Sequence, residues 1–122
     1  MKGEYIVNAL YKAMSENPDK KILELFDIAR KFPAPCFSVT FNNARRLVSM
    51  LDRGLELPIV NENKKAMYKE LHRRLNKARG DKEKCYQLLN DIINSPAPEF
   101  YMDVETFRGV FYKTIRSKRK KL

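Results

Sequence analysis

The chain matches itself when it is shifted by 63 positions, and this internal match limits the folds that are open to it. The segment Pro33-Ala34-Pro35 falls on Pro96-Ala97-Pro98. Upstream of each segment the apolar residues share one helical register, and downstream the helix-capping types Thr40 and Asp103 coincide. An extended motif, a cap and two apolar stripes rarely agree together by chance. The sequence therefore predicts two copies of a unit of about 60 residues.

Helical periodicity and helix-end signals predict an all-α protein. We expect Asn17 and Pro18 to begin the second helix, Thr40 to cap the third, Asp103 to cap the sixth, and Gly54 to end the third. The expected helices cover about residues 4–15, 18–31, 41–52, 64–79, 82–94 and 104–115.

The segments that follow the two Pro-Ala-Pro motifs are expected to be extended. Phe37 and Val39 alternate in the first copy, and Phe100 and Met102 alternate in the second, as in short strands with one face buried. The two segments can pair with each other. The sequence thus allows a minimal two-stranded β-ribbon within an otherwise helical protein.

The expected organisation is a single compact domain over residues 1–122, made of two tandem helix-helix-extended-helix repeats. Residues 1–54 form repeat 1, residues 55–63 the connection, residues 64–115 repeat 2 and residues 116–122 a basic tail. No apolar run reaches the roughly 18 residues that a membrane span needs, and the N-terminus lacks a signal sequence. We therefore expect a cytoplasmic protein without a membrane partner, in which Cys36 and Cys85 are buried free thiols.

The positive charge is concentrated in the second half of the chain. Residues 1–63 carry nine Lys or Arg against eight Asp or Glu, whereas residues 64–122 carry sixteen against seven, within a total net charge of +10. A pI near 9.7 with this asymmetry favours a polyanionic partner, most often a nucleic acid.

Catalytic residue patterns are absent from the sequence, so we expect no enzyme, no cofactor and no metal site. His72 is the single histidine and stands beside Arg73 and Arg74, which is typical of a solvated surface histidine. None of the four glycines belongs to a phosphate-binding loop pattern.

Three groups of residues predict contacts with nucleic acid. Helix 4 has a basic stripe on a four-residue spacing, helix 3 presents Asn and Arg side chains near its N-terminal end, and the C-terminal run is strongly basic. The predicted nucleic-acid-binding residues are Lys69, Arg73, Arg74 and Lys77; Asn42, Asn43, Arg45 and Arg46; and Lys113, Arg116, Lys118, Arg119, Lys120 and Lys121.

Each group also has a plainer interpretation. The helix 4 stripe is equally typical of a solvated face eased by a Glu70–Arg74 pair, and the basic run can serve solubility alone. Arg45 and Arg108 occur at equivalent positions in the two copies, so both can be structural, for example by donating to carbonyls of the Pro-Ala-Pro segments. Tyr101 and Tyr112 are the aromatic residues expected at the surface, where they could stack on unpaired bases.

The leading prediction is a small non-enzymatic nucleic-acid-binding protein of regulatory or accessory type, with DNA favoured over RNA. The rival is a protein-interaction module, such as an adaptor, assembly component or inhibitor of a mobile element or virus, that binds an acidic partner through residues 55–60. Membrane-surface attachment is disfavoured because the basic helix lacks large aromatics opposite its charges. The sequence leaves monomer and homodimer open.

Overall fold

The computed structural model describes residues 3–80 and 86–120, apart from the side chain of residue 120, and it confirms the all-α class. No strand occurs within these described ranges. The helices are α1 (Gly3–Glu16), α2 (Ile22–Ala29), α3 (Phe41–Asp52), α4 (Glu62–Arg79), α5 (Leu88–Ile93) and α6 (Val104–Lys120). The predicted beginning of the fifth helix near residue 82 lies outside the described residues.

The predicted caps at the starts of α3 and α6 are confirmed. Thr40 Oγ1 accepts a hydrogen bond from the Asn43 amide at 3.3 Å, and Asp103 Oδ1 accepts one from the Thr106 amide at 2.7 Å. Asn61 caps α4 in the same way, which places the beginning of that helix earlier than the predicted residue 64.

The prediction that Asn17 begins the second helix is wrong. Asn17 instead ends α1, because its backbone amide and its side-chain amide both donate to the Ala13 carbonyl, at 2.9 and 3.1 Å. The chain then makes a turn, in which the Lys20 amide donates to the Asn17 carbonyl at 3.2 Å. α2 therefore begins only at Ile22 and is eight residues long.

The prediction of a separate basic tail from residue 116 also differs from the structure, because α6 continues through Lys120. Thr114 donates its hydroxyl to the Val110 carbonyl at 2.8 Å. Thr114 also faces Gly3, where a Cβ would come within 2.0 Å of the hydroxyl oxygen. This close approach to α1 secures the second half of α6, and the following residues contain no helix breaker.

The helices cluster into two compact units. The terminal unit comprises Met1–Ala34 and Ala97–Leu122, and the central unit comprises Pro35–Pro96. In the terminal unit α1 packs against α2 and α6. In the central unit α4 packs against α3 and α5. The chain passes between the units inside the two Pro-Ala-Pro segments.

The core of the terminal unit is rich in aromatic rings. Phe26 is fully buried, and its ring centroid lies 6.3 Å from that of Phe107 and 5.5 Å from that of Phe111, all in edge contacts. Phe100 makes a further edge contact with Phe107 at 5.4 Å. Leu10 and other residues of α1 complete this core.

The core of the central unit is mainly aliphatic. Leu71 and Leu75 of α4 are fully buried, as are Val48 of α3 and Leu89 of α5. Phe37 is also buried there, and its amide donates to the Ile93 carbonyl at 2.9 Å.

The predicted β-ribbon is not confirmed, since the two Pro-Ala-Pro segments meet in a single antiparallel residue pair. The Ala34 amide donates to the Ala97 carbonyl at 3.0 Å, and the Ala97 amide donates to the Ala34 carbonyl at 2.8 Å. The prolines on both sides of each alanine have no amide hydrogen, so the ladder cannot continue through them.

Two further features bear on the predictions. Cys36 is a free cysteine but is half-exposed rather than buried, and Cys85 lies outside the described residues. Among the helices that the structure describes, none combines the length and the apolar character required to cross a bilayer.

Candidate nucleic-acid interface

α6 carries the densest exposed charge in the terminal unit. Its 17 residues include six Lys or Arg and one acidic residue, Glu105, in the first turn. The side chains of Lys113, Arg116, Lys118 and Arg119 are exposed. Within the described parts of the chain none of these four forms an ion pair, so their charge is not neutralised by neighbours.

Tyr112 lies between two arginines on the exposed side of this helix. Its side chain is 42% exposed, while its ring makes edge contacts with Phe26 and Phe111 at centroid distances of 5.8 and 5.3 Å. The Arg108 guanidinium lies 6.0 Å from the Tyr112 ring centroid, and Arg116 Nε donates to the Tyr112 carbonyl at 3.4 Å. The expectation that Tyr112 is a surface aromatic is confirmed.

The residues of the predicted basic stripe on α4 fall into two groups, namely exposed lysines and arginines that contact other residues of the central unit. Lys69 and Lys77 are exposed. Arg73 donates from Nε to the Glu70 carboxylate at 2.8 Å, and this hydrogen bond lowers the pKa of Glu70. Arg74 donates to the Pro96 carbonyl at 2.8 Å and its guanidinium lies 5.0 Å from the Phe37 ring centroid. Arg74 therefore holds the central unit together and is not a free phosphate ligand.

The predicted α3 residues lie on the surface of the central unit. Asn42 and Asn43 are exposed in the first turn, and Arg45 and Arg46 follow them on the exposed side. The Arg45 guanidinium lies 5.9 Å from the Tyr86 ring centroid. The two asparagines thus remain accessible, whereas Arg45 has an aromatic partner in its own unit.

Arg45 and Arg108 do not donate to carbonyls of the Pro-Ala-Pro segments, which was the example given for their structural role. Each of them lies over a tyrosine ring. Arg74, described above, donates to a carbonyl of such a segment, and Arg30 donates to the Met102 carbonyl, beyond the second segment, at 3.3 Å. Sequence alone cannot distinguish these roles because all four arginines have similar helical surroundings.

A polar network around Asp52 was not anticipated from the sequence. Arg79 donates to both carboxylate oxygens of Asp52 at 3.1 and 2.6 Å, and the Tyr86 hydroxyl donates to one of them at 2.6 Å. His72 Nε2 lies 2.8 Å from the other oxygen. The hydrogen bonds from Arg79 in particular hold the pKa of Asp52 well below its ordinary value.

This network corrects the prediction that His72 is a solvated surface residue, because its side chain is only 25% exposed and is bound to Asp52. Asp52 ends α3, while His72 and Arg79 lie on α4, so the network joins these two packed helices. Its donors already satisfy the carboxylate, which favours a structural role. The residues that bind Asp52 lie 20 to 34 positions after it in the sequence, so no local sequence pattern could have predicted the network.

The structure therefore brings the predicted α3 and α4 residues into the central unit and the predicted α6 residues into the terminal unit. Lys121 and the side chain of Lys120 lie outside the described residues. Arg108, Tyr112 and Arg116 were not identified from the sequence as one group, although their four-residue spacing is visible there.

Comparison with protein-family models, with curated proteins and with solved structures finds no match to this chain.

Proposed function

We propose that this chain is a small non-enzymatic nucleic-acid-binding protein of regulatory or accessory type that acts in the cytoplasm, with DNA as the preferred nucleic acid. The exposed basic surface of α6 provides the principal phosphate contacts. Lys69 and Lys77 of α4, together with Asn42 and Asn43 of α3, provide further contacts from the central unit.

The observation that carries this proposal is the fixed, unneutralised charge of α6. Because these residues form a helix, Lys113 and Arg119 lie about 9 Å apart along its axis, at a rise of about 1.5 Å per residue. Duplex DNA presents a charge about every 1.7 Å along its axis, so such a helix can contact several phosphates at once. Binding then releases counterions and depends strongly on salt.

Fluorescence anisotropy with labelled duplex and single-stranded DNA tests the proposal at two salt concentrations. The test variant replaces Lys113, Lys118 and Arg119 with Gln in the full chain. We expect it to bind at least tenfold more weakly than the wild type at low salt. Its logarithmic salt slope on duplex DNA should fall by about 0.9 for each phosphate that it no longer neutralises.

The matched control replaces the exposed residues Lys20, Lys21 and Lys31 with Gln, which removes the same charge from the same unit. We expect the control to retain most of the affinity. An equal loss in both variants would show that overall charge acts alone, and it would remove α6 from the proposal. Absence of wild-type binding to any DNA at low salt would overturn the function itself.

A protein-interaction module is the second candidate function, and one feature of the central unit favours it. An open cavity of about 290 Å³ is lined by Leu51, Leu55, Glu56, Leu57, Lys65 and Lys69. Val60, in the same connection, is 93% exposed. Exposed apolar residues beside two lysines suit an acidic protein with an apolar anchor. Substitution of Leu55 with Asp should abolish such an interaction and leave DNA binding by α6 unchanged.

We also propose that the chain consists of two tandem repeats whose third helices are exchanged. Two pairs of observations support this. The Phe37 amide donates to the Ile93 carbonyl in the central unit, and the Phe100 amide donates to the Arg30 carbonyl in the terminal unit, with donors and acceptors each 63 positions apart. In each unit the third helix comes from the other repeat, since α6 packs with α1 and α2, and α3 packs with α4 and α5.

Cleavage of the connection tests this exchange. A protease site inserted between Ile59 and Val60 would be cut in the folded full chain. If the third helices are exchanged, both units contain helices from both fragments, so the fragments should co-elute and their unfolding midpoint should depend on concentration. Fragments that separate under native conditions would contradict the exchange.

A further inference from the structure

Gly109 lies in the interior of α6 at a position that the fold does not explain. Glycine is among the poorest helix formers, so Gly109 lowers the stability of the helix interior relative to almost any other residue. A Cβ added at Gly109 would meet no atom within 4 Å. By contrast, a Cβ at Gly3 would collide with Thr114. Close packing against Thr114 therefore explains the glycine at position 3. Packing does not explain Gly109, because a side chain at that position would extend into open space.

Tyr112 follows this open position by three residues, and none of its side-chain atoms comes within 4 Å of a Cβ placed at Gly109. Residues three apart share a helix face, and helical side chains lean toward the N-terminus, so the Tyr112 ring extends over the turn that contains Gly109. The edge contacts with Phe26 and Phe111 hold the ring in place, while 42% of the side chain remains exposed. No side chain at Gly109 blocks a flat group from the Tyr112 ring, but such a group has to take the place of the exposed Arg108 guanidinium, which lies over the ring at 6.0 Å from its centroid.

The charges that flank this ring are positive. Arg108 lies over the ring and Arg116 is one turn further along the helix, both exposed. The single acidic residue of α6, Glu105, stands seven positions before Tyr112, about 10 Å away along the axis. An aromatic ring with an adjacent gap and a cation on each side matches a nucleotide, with its flat base and charged phosphates.

We propose that Tyr112 and Gly109 form a stacking site for an unpaired base, with Arg108 and Arg116 contacting the adjoining phosphates. This inference rests on the proposed function and specifies its ligand as single-stranded nucleic acid. An aromatic ring on a convex helix surface cannot reach bases stacked inside a duplex. Sequence-independent single-strand binders use the same combination of stacking and phosphate contacts.

The test compares two probes of equal length and charge: a labelled oligothymidylate of about 12 nucleotides, within the range of known single-strand sites, and an abasic chain with the same phosphates. The protein should bind the oligothymidylate about 5- to 150-fold more tightly than the abasic chain, as expected for one stacked base. Tyr112→Leu should reduce this preference to near unity, and Tyr112→Phe should retain it.

Gly109→Gln separates binding from stability. A side chain at this open position should raise the melting temperature, because glycine is a poorer helix former than glutamine. The same side chain should occupy the space beside Tyr112 and lower oligothymidylate affinity at least fivefold, while binding of the abasic chain stays unchanged. A purely structural role of Gly109 would not produce this combination.

Two results would overturn the stacking site while leaving phosphate binding intact. One is equal wild-type affinity for the two probes. The other is a preference for oligothymidylate that Tyr112→Leu leaves unchanged, since the base would then be bound elsewhere. If wild type binds neither probe at low salt but binds duplex DNA, the stacking site alone fails. If it binds no DNA at all, the proposed function fails together with the inference.

Discussion

Each unit contains three of the helices that the structure describes, but different interactions stabilise the two units. The terminal unit packs phenylalanine rings edge to edge around Phe26, and the ion pair described within it joins Arg30 to Asp27 in successive turns. The central unit has an aliphatic core and adds a carboxylate network in which Asp52 binds Arg79 across two helices. Similar helix arrangements can therefore depend on apolar packing in one unit and on apolar packing plus charge in the other.

The net charges of the two units also differ from the net charges of the two halves of the sequence. The terminal unit contains thirteen Lys or Arg against eight Asp or Glu, and the central unit contains twelve against seven, so each has a net charge of +5. The contrast between +1 and +9 for the two sequence halves disappears because the basic α6 belongs with α1 and α2. Both units therefore carry a net positive charge, which favours a polyanionic partner for either of them.

The largest effect should come from the aromatic core. Phe26→Ala removes a fully buried ring that contacts both Phe107 and Phe111, so we expect a loss of about 3–5 kcal/mol in unfolding free energy. Urea unfolding measures this loss. Phe32→Ala, at a half-buried position in the same unit, is the matched control and should cost less. Equal losses would show that the aromatic cluster does not dominate the terminal unit.

The Asp52 network should give the next largest effect. Asp52→Asn leaves the Arg79 guanidinium without its counter-charge in a side chain that is only 9% exposed, and should cost about 2–3 kcal/mol. Exchange of backbone amide hydrogens should become faster in the central unit, because that unit unfolds locally more often. The control Asp91→Asn, on the exposed side of α5, should change stability by less than about 0.5 kcal/mol. Opening confined to the terminal unit would refute this assignment.

Acid should destabilise the wild type through the same carboxylate. Because the pKa of Asp52 in the folded state lies below its ordinary value of 3.8, its contribution is present above that value and is lost as the pH falls toward the lowered one. Between about pH 5 and pH 2 the wild type should therefore lose more stability than Asp52→Asn. Thermal unfolding across this range checks the prediction, and parallel pH profiles would contradict it.

The smallest effects should come from the two helix caps, which compare the units at equivalent positions. Thr40→Ala removes the cap of α3 and should cost about 1 kcal/mol. Asp103→Ala removes a shorter hydrogen bond from a charged cap, so we expect a larger loss for α6. Thermal unfolding of both variants gives the order. The reverse order would show that cap charge is unimportant here.

The sequence predicted the features that depend on local chemistry. The bounds of α3, the caps Thr40 and Asp103, and the exposure of Tyr112 all follow from neighbouring residues. It failed where distant contacts decide, as at Arg74, whose carbonyl acceptor lies 22 positions away. The sequence also predicted too early a beginning for α2. An Asn side chain can form hydrogen bonds with the backbone at the end of one helix as well as at the beginning of the next, and Asn17 does the former.

The packing of α6 in the terminal unit also determines when this unit can form during synthesis. The ribosome makes α1 and α2 first, but the Phe107 and Phe111 side chains that cover Phe26 emerge only after the whole central unit has been made. The nascent chain must carry an uncovered apolar helix pair until α6 has been made. A ribosome that stalls before Phe111 would release a chain with one completed unit and one aggregation-prone surface.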